Sequence, residues 1–460
     1  MYNIKKYDII TRRKVIRWLI LFCKNNLKHI LIIALGFFSC SAIYLTLSTI
    51  LSNYTSVDFA NKVSAIYANL AMALGIFLFA IIYKKTKNIK KYYILSMLLY
   101  LISLILFLIF KNTTIMSILL CLCCLFSTSG FSAGYHFAML PSNIEQKYFG
   151  KVFSIGYATA SLLTYFITFL PSNIYASSIS LFLYIPIILI NLILVIKQNN
   201  LNIIKKEKPT KDFKKYILSI TIIIILMAIL SSISTDVIPI YNYNMKDFYT
   251  YSRIYYSIGL IVAGIICDKN KELFDTITIT SFVYYLISLV LLNQNVSPSI
   301  VIAISFFFLG FFVIFRTTIF MNISANNKNY LYICAYGLAF SRIIEGIISK
   351  LENIIISNYL ILILVEAILL GLILIIYFLS YMKNNNKTKD DKLKELSLKS
   401  GLSIQEEKVL VLLMQDLTNQ EIADKLFVSI NTVRNHVASI YKKTGMKKQE
   451  LRGNLHSRTN

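Results

Sequence analysis

The sequence predicts an all-α protein in which a polytopic membrane helix bundle is followed by a small soluble helical domain. Three observations predict this class. Of the 460 residues, 57% are apolar and only 15% are charged, whereas about a quarter of the residues in soluble domains are charged. Apolar runs close to the roughly 20 residues that cross a bilayer as a helix fill residues 27–380. From residue 401 the composition becomes that of a soluble domain with helical periodicity.

The apolar runs form two sets of six predicted spans. The first set lies near 27–50, 64–83, 92–110, 115–137, 152–170 and 178–196, and the second near 216–235, 251–267, 274–292, 299–321, 330–349 and 358–380. The predicted organisation is a basic cytoplasmic N-terminus (1–26), a first membrane half (27–196), a central loop (197–215), a second half (216–380), a linker (381–400) and a C-terminal domain (401–460). The run at 251–267 is the weakest of the twelve.

The placement of the lysines predicts how the bundle is oriented. With the N-terminus inside, the inner segments carry the lysines of 84–91, 147–151, 205–215, 269–271 and 328, and the outer segments carry little beyond Lys62, Lys111, Lys246 and Lys350. Positively charged residues are enriched in cytoplasmic loops. Much of the net charge of +25 is therefore a topology signal. An even number of spans then places both termini in the cytoplasm of a multi-pass inner-membrane protein.

One short motif accompanies the division into two halves. Gly264, Asp268 and Lys269 form the pattern Gly-x-x-x-Asp-Lys between the eighth and ninth predicted spans. With two six-helix halves and both termini inside, residues 27–380 resemble the major facilitator superfamily. The resemblance implies that Asp268 holds neighbouring helix ends together through charge and dipole contacts. The equivalent loop of the first half (84–91) lacks the aspartate and the glycines.

The C-terminal domain contains the start and stop signals of three short helices. Ser403 is placed to cap the first of them, and Thr418 and Glu421 have the spacing of a capping box that starts the second. After the turn 427–429, a third helix runs to Gly445, a residue that commonly ends helices. Two short helices separated by a three-residue turn predict a helix-turn-helix.

The third of these helices has two opposite faces. At about 100° per residue, Val433, Val437 and Ile440 share the side expected to pack inward. The opposite, exposed face carries Asn431, Arg434, Asn435, Ala438 and Lys442. Arginine binds guanine bidentately and asparagine binds adenine, which suits a major groove. Thr432 and Lys443 lie nearer the edges and suit phosphates. The alternative is that these are ordinary solvated polar residues.

The segment 402–451 closely resembles the DNA-binding domain of LuxR-family regulators. The matched residues are Leu402, Ser403, Glu406, Val409, Leu410, Asn419, Glu421, Ile422, Ala423, Leu426, Ser429, Thr432, Val433, Arg434, His436, Ile440, Lys443 and Gly445. The resemblance implies sequence-specific binding of double-stranded DNA as a homodimer, with the helix from Thr432 to Lys443 in the major groove. The last helix, often used for dimer contacts in the family, offers Leu451 and Leu455 and is interrupted by Gly453, so the membrane part would have to contribute to dimerisation.

Some charged residues fall well within the predicted spans of the second half. Arg316 lies in the tenth span, Arg342 and Glu345 are i, i+3 neighbours in the eleventh, and Glu366 lies in the twelfth. Because charges in a bilayer are costly, they are candidates for a ligand or coupling site. The alternative is an internal set of ion pairs that only stabilises the bundle.

The combination of domains supports two hypotheses about function. In the first, the bundle senses a small-molecule ligand or membrane signal and controls how the C-terminal domains bind DNA. In the second, the bundle is an active secondary transporter with an appended regulatory domain. The fused regulator and the loop motif missing from the first half favour the sensor. No nucleotide-binding loop, metal cluster or nucleophile triad is apparent, so we expect no enzyme activity, cofactor or metal.

Overall fold

The computed structural model divides the chain into two compact units, Met1–Leu374 and Ile375–Asn460. It describes residues 22, 25–41, 43–44, 63–86, 88–110, 114–168, 178–198, 201, 211–237, 248–294, 297–326, 328–351, 359–415, 417–446 and 451. Most of the predicted basic N-terminus (1–26) and most of the predicted central loop (197–215) lie outside these residues. The described residues are helices and short connections with no strand among them, which confirms the all-α class.

The first unit contains the following described helices, the last of which continues into the second unit. They are α1 (25–41), α2 (Asn69–Lys85), α3 (Ile89–Phe110), α4 (Thr114–Leu125), α5 (Ala133–Asn143), α6 (Phe149–Thr168), α7 (Ser178–Ile196), α8 (Lys211–Ser232), α9 (Phe248–Lys269), α10 (Lys271–Asn293), α11 (Pro298–Asn326), α12 (Tyr336–Lys350) and α13 (Tyr359–Lys399). A π-helical stretch, Phe126–Ser132, joins α4 to α5, and others precede α2 (Val63–Ala68) and follow α8 (Ile233–Val237).

Each of the twelve apolar runs contains helix in the part of the chain that the structure describes. Eight stretches there are long and apolar enough to cross a membrane, by length and composition. They are Ala65–Lys85, Ile89–Phe107, Ile115–Asn143, Phe213–Thr235, Lys271–Leu292, Pro298–Ala325, Asn329–Lys350 and Ile361–Leu379. Helix α9, which covers the weak run 251–267, is not one of the eight. The chain is therefore a multi-pass membrane protein, and eight of the twelve predicted spans overlap with such a stretch.

Helices α6 and α9, from opposite halves of the bundle, cross closely at two glycines. A Cβ on Gly150 would lie 2.7 Å from the carbonyl oxygen of Gly264, closer than real Cβ atoms approach. Small residues at such a crossing let the two backbones meet. This crossing brings the first turn of α6 to Asp268, near the end of α9.

Asp268 caps the start of α6. Its Oδ1 accepts a hydrogen bond from the Gly150 N–H at 2.7 Å, and its Oδ2 accepts one from the Lys151 N–H at 2.8 Å. The first amides of a helix have no partner within the helix and carry its positive dipole end. The carboxylate therefore joins the two halves of the bundle. This confirms the helix-end contact that the Gly-x-x-x-Asp-Lys motif implied.

The second unit contains the end of α13, from Ile375, and three shorter helices. These are α14 (Ile404–Met414), α15 (Asn419–Leu426) and α16 (Ile430–Thr444). Its buried core consists of Leu393, Val409, Leu410, Leu413, Ile422, Ala423, Val433, Ile440 and Leu451. The predicted linker 381–400 is helical as far as Lys399, and Leu393 belongs to this core because an apolar side chain there can leave water.

Two further features of the second unit bear on the predictions. Leu451, predicted as a possible dimer contact, is instead fully buried in the core of its own domain. Ser397, near the end of α13, donates a hydrogen bond from its Oγ to Glu407 Oε2 of α14 at 3.1 Å. The end of α13 is thus attached to α14 by both apolar and polar contacts. Leu455 and Gly453 lie outside the described residues.

Candidate nucleic-acid interface and intramembrane ion cluster

Side-chain caps start each of the three short helices. Ser403 and Glu406 form a capping box at α14, and Thr418 and Glu421 form another at α15. At α16, the Ser429 Oγ accepts a hydrogen bond from the Thr432 N–H at 3.1 Å. The predicted cap at Ser403, the predicted capping box at Thr418 and the predicted stop at Gly445, which has a φ of +69°, are confirmed.

The turn between α15 and α16 is tight and partly apolar. Phe427 ends α15 with a φ of 55°, the left-handed conformation that residues other than glycine rarely adopt. The next N–H, of Val428, donates to the Ala423 carbonyl at 3.1 Å. The Phe427 side chain is 95% exposed. The turn therefore redirects the chain without using its aromatic residue for the core.

Helix α16 presents the predicted face to solvent. Val433 and Ile440 are fully buried, and Val437 is half-buried against the same core. Among the candidate contact residues, Asn431, Arg434, Asn435, Lys442 and Lys443 are exposed and Thr432 is half-buried. His436 is half-buried as well. Burial thus agrees with the predicted helix wheel, whereas contact of these residues with DNA stays a prediction.

Lys443 has a partner within its own domain. Its Nζ donates to Glu406 Oε2 at 2.7 Å and lies 3.3 Å from the Gly401 carbonyl oxygen. The Ser439 Oγ donates to the other carboxylate oxygen of Glu406 at 2.6 Å. Together with the Ser403 N–H at 2.6 Å, these bonds make a buried carboxylate the link between α14 and α16. Sequence reasoning missed this link, for which the Ser-x-x-Glu spacing at 403–406 was a partial signal.

The bonds to Glu406 also favour its ionised form. The Lys443 ammonium, then the Ser439 hydroxyl and the Ser403 amide, lower the pKa of this carboxyl to about 2. Hydrogen bonds of this charge-assisted kind are shorter and stronger than neutral ones. The carboxylate is therefore ionised throughout the physiological range and holds the Lys443 ammonium beside it.

Three of the four intramembrane charges predicted as a ligand or coupling site meet in the first unit. Arg316 of α11 places its Nη1 3.3 Å from Glu345 Oε1, and Arg342 places its Nη1 2.6 Å from Glu345 Oε2. The same Nη1 of Arg342 lies 3.3 Å from the Oδ1 of Asn69 in α2. A single carboxylate thus bridges two arginines. The cluster also connects α12 of the second half to α2 of the first.

Glu366 does not take part in this arrangement. Its side chain is fully buried, and neither carboxylate oxygen has a hydrogen-bond partner within the described residues. The sequence placed Glu366 among the candidates because it is a charged residue within a predicted span. Its position in the sequence does not indicate which neighbouring helix its side chain faces. Its assignment to a ligand or coupling site stays a prediction.

A third arginine near the cluster was missed by the sequence reasoning. Arg253, in α9, lies close to Tyr157 and Tyr256, and Arg342 also lies close to Tyr157. The signal was present, since residue 253 falls in the predicted span 251–267. It was weak because that run is the least apolar and Arg253 sits near its start.

Comparison with known proteins identifies the C-terminal domain. Residues 400–450 match the family model described as bacterial regulatory proteins, luxR family. The spore germination protein GerE of Bacillus subtilis is 46% identical over 56 residues, which are 12% of this chain and 76% of that protein. The DNA-binding transcriptional activator DevR/DosR of Mycobacterium tuberculosis is 44% identical over 50 residues, which are 11% of this chain and 23% of that protein.

Solved structures match the larger part of the chain. The human organic anion transporter MFSD10 superposes with a TM-score of 0.58 at 10% identity, over 77% of this chain and 99% of that one. The Escherichia coli fucose:proton symporter FucP superposes with a TM-score of 0.52 at 12% identity, over 76% of this chain and 98% of that one. At these identities the likeness concerns the fold alone. The membrane bundle therefore has the fold of major facilitator transporters.

Proposed function

Because the chain belongs, through its C-terminal domain, to the LuxR family of bacterial regulatory proteins, we propose that it is a membrane-embedded transcription regulator whose transporter-like bundle senses a ligand. The observation that carries the proposal is the presence in one chain of a LuxR-type helix-turn-helix and a bundle with a buried ion cluster. In this proposal both termini are in the cytoplasm of an inner-membrane protein, where the helix-turn-helix can reach DNA.

The exposed face of α16 supports the DNA-binding part of the proposal. Arg434 and Asn435 reach base edges in the major groove of double-stranded DNA, and Asn431 and Lys442 lie on the same exposed face. Thr432 and Lys443 lie nearer the phosphates. The protein binds its operator as a homodimer. Since Leu451 is buried in its own domain, we assign part of the dimer contact to the membrane bundle.

The bridged ion cluster supports the sensing part. Arg316 and Arg342 share Glu345, and Arg342 also reaches Asn69 in the other half of the bundle. A ligand that binds one arrangement of these groups better than another shifts the population of bundle conformations. A differential affinity of a few kcal/mol is enough to move such an equilibrium substantially.

The alternative is an active secondary transporter with an appended regulatory domain. The fold favours it in one respect, because both solved relatives are described as transporters. It expects gradient-driven uptake of substrate into proteoliposomes by a protein truncated after residue 386. The sensor expects no such uptake, so robust transport by the truncated protein would contradict it.

Genome-wide mapping of bound DNA tests the proposal in cells. The full chain should occupy a discrete set of sites, and its occupancy should change several-fold across a panel of growth media. Glu345→Gln should occupy the same sites without responding to the medium, because the bridge between the arginines is lost. Lys350→Gln is the matched control, since it changes an exposed charge at the end of the same helix. Invariant occupancy by the parent protein in every medium would refute ligand sensing.

A further inference from the structure

The intramembrane cluster has more positive than negative charge. Arg316 and Arg342 share Glu345, which is the one acidic side chain bonded to them in the described part of the chain. Arg253 lies close to Tyr256, which is also a neighbour of Arg316 and Arg342. Among the described residues, the two arginines bonded to Glu345 already exceed it by one positive charge, and Arg253 adds another nearby. Burying an uncompensated charge is expensive unless it is paired and hydrogen-bonded.

Arg316 has a buried hydrogen-bond donor that no described residue accepts from. Its side chain is only 4% exposed, and its Nε has no hydrogen-bond partner among the described residues. Arginine has five N–H donors in a fixed fork. The ion pair to Glu345 at 3.3 Å occupies Nη1, so a buried donor remains for another acceptor.

Arg342 and Glu345 are the more accessible side chains of the cluster. Their side chains are 24% and 19% exposed, although they lie in a helix packed among others. Arg342 and Glu345 are therefore partly accessible, whereas Arg316 is almost fully buried. The arrangement combines a buried donor with a partly accessible ion pair.

Aromatic rings border the same charges. The rings of Tyr157 and Tyr256 are 5.9 Å apart in an edge-on arrangement, and Tyr256 lies close to Arg316 and Arg342. The Arg316 guanidinium carbon lies 5.3 Å from the centre of the Phe312 ring. Tyrosine combines an apolar ring with a hydroxyl that donates hydrogen bonds. The surroundings suit a flat apolar body that carries an anionic group.

From the excess of arginines, the unused Arg316 donor and the bordering rings, we infer that the cluster binds a small organic oxyanion, a carboxylate or a phosphate ester. Guanidinium groups match the geometry of both, which makes them the preferred partners of these anions. Glu345 holds the two guanidinium groups of Arg316 and Arg342 in place, and the anion supplies the missing negative charge. The inference rests on the proposed function, since it names the ligand class of the same site.

The test uses the purified full-length protein in detergent at constant ionic strength. The midpoint of thermal unfolding is measured against concentrations of benzoate, phenyl phosphate, uncharged benzamide and cationic benzylamine. We expect a saturable rise with benzoate or phenyl phosphate, and at least tenfold weaker responses to benzamide and benzylamine. The two anions distinguish a carboxylate site from a phosphate site. No saturable response to either anion, or an equal response to benzamide or benzylamine, overturns the inference.

Variants locate the binding to the cluster. Arg316→Gln and Arg253→Gln should each weaken the anion response at least tenfold, whereas Lys350→Gln, an equal change of charge on α12, should retain it. If Arg316→Gln does not fold, Arg253→Gln alone decides. Unchanged binding in the folded arginine variants, or an equal loss in Lys350→Gln, overturns the assignment.

The outcome separates this inference from the proposed function. If no anion binds while DNA occupancy still responds to the growth medium, the ligand class is wrong and the sensor stands. If an anion binds but occupancy never responds, the site exists and the sensor is wrong.

Discussion

Neighbouring positively charged residues of α16 lie in different electrostatic surroundings. Arg434 and Lys442 are exposed. Neither side chain forms a hydrogen bond or an ion pair with another residue in the described part of the chain. Lys443 is bonded to the buried carboxylate of Glu406. A charge without an internal partner is available to a ligand at little cost, whereas a charge in an ion pair must share its donors. Arg434, Lys442 and Lys443 should therefore respond differently to substitution.

Replacing Arg434 with alanine should weaken specific DNA binding by about 1–3 kcal/mol and relax discrimination at one base position. The reason is the loss of a bidentate contact with a base. Lys443→Ala is the comparison, because Lys443 is the proposed phosphate contact and a phosphate contact carries no sequence information. It should weaken binding to all sequences and lower the salt dependence by about one ion. Titrations of specific and random duplexes at several salt concentrations measure both. Equal effects of the two variants on all duplexes would refute the assignment of Arg434 to a base.

The Glu406 link predicts how the domain responds to acid. Its pKa in the folded domain is about 2, below the ordinary value of 4.5. A carboxyl whose pKa is depressed by folding contributes stability above its unfolded pKa, and that contribution is lost as the pH falls from about 4.5 towards 2. Urea unfolding of the C-terminal domain should show that the free energy of unfolding falls less between pH 5 and pH 3 in Glu406→Gln than in the parent. An unchanged loss would contradict this link.

Two lysine variants, compared by urea unfolding, test how much this link stabilises the domain. Lys443→Met should destabilise the domain at pH 7, because it leaves the buried carboxylate of Glu406 without its charged partner. Lys442→Met, one residue earlier and exposed, should leave the free energy of unfolding unchanged.

At the scale of elements, the end of α13 belongs to the DNA-binding domain. Leu393 lies in the domain core, and Leu396 packs against that core. Ser397 bonds to Glu407 of α14, and its carbonyl oxygen accepts from the Leu402 N–H at 3.0 Å. The segment 393–399 is therefore a structural part of the helix-turn-helix unit.

A fragment of residues 386–460 should consequently fold more stably than one of residues 398–460. The shorter fragment lacks Leu393 and Ser397, which removes a buried apolar side chain and a polar contact. In the longer fragment, Leu393→Ala should cost about 2 kcal/mol or more, whereas Lys425→Ala, at an exposed site of α15, should cost little. Urea unfolding measures both. Equal stability of the two fragments would place α13 outside the domain.

At the scale of the whole molecule, function depends on which side of the membrane each loop faces. The lysine distribution predicts that residue 269 is cytoplasmic and residue 350 is outside. Both lysines are exposed at helix ends, so their side chains are accessible to reagents. Only this orientation allows the helix-turn-helix to meet DNA.

Labelling of single cysteines in intact cells tests this orientation. Lys350→Cys should react with a membrane-impermeant maleimide, and Lys269→Cys should react only after the cells are permeabilised. The parent protein, which has seven cysteines of its own, supplies the background. The reverse pattern would overturn the topology and, with it, the proposed regulation of transcription.

The sequence by itself determined the features of this protein that depend on neighbours along the chain. The helix caps at Ser403 and Thr418 bond to residues three positions ahead. The helix-turn-helix and the apolar spans depend on periodicity and length, which are local quantities. Burial of Val433 and Ile440 followed from the helix wheel, because a helix with one apolar side has one way to face a core.

Only the tertiary structure decided which distant residues meet. Lys443 and Glu406 are 37 positions apart, and Arg342 and Asn69 are 273 positions apart. Periodicity assigns a residue to a face of its helix but does not name its partner on another helix. For that reason the sequence grouped Glu366 with the arginines and missed Arg253, whereas packing of the helices joined Arg316, Arg342 and Glu345 and left Glu366 without a bond to them.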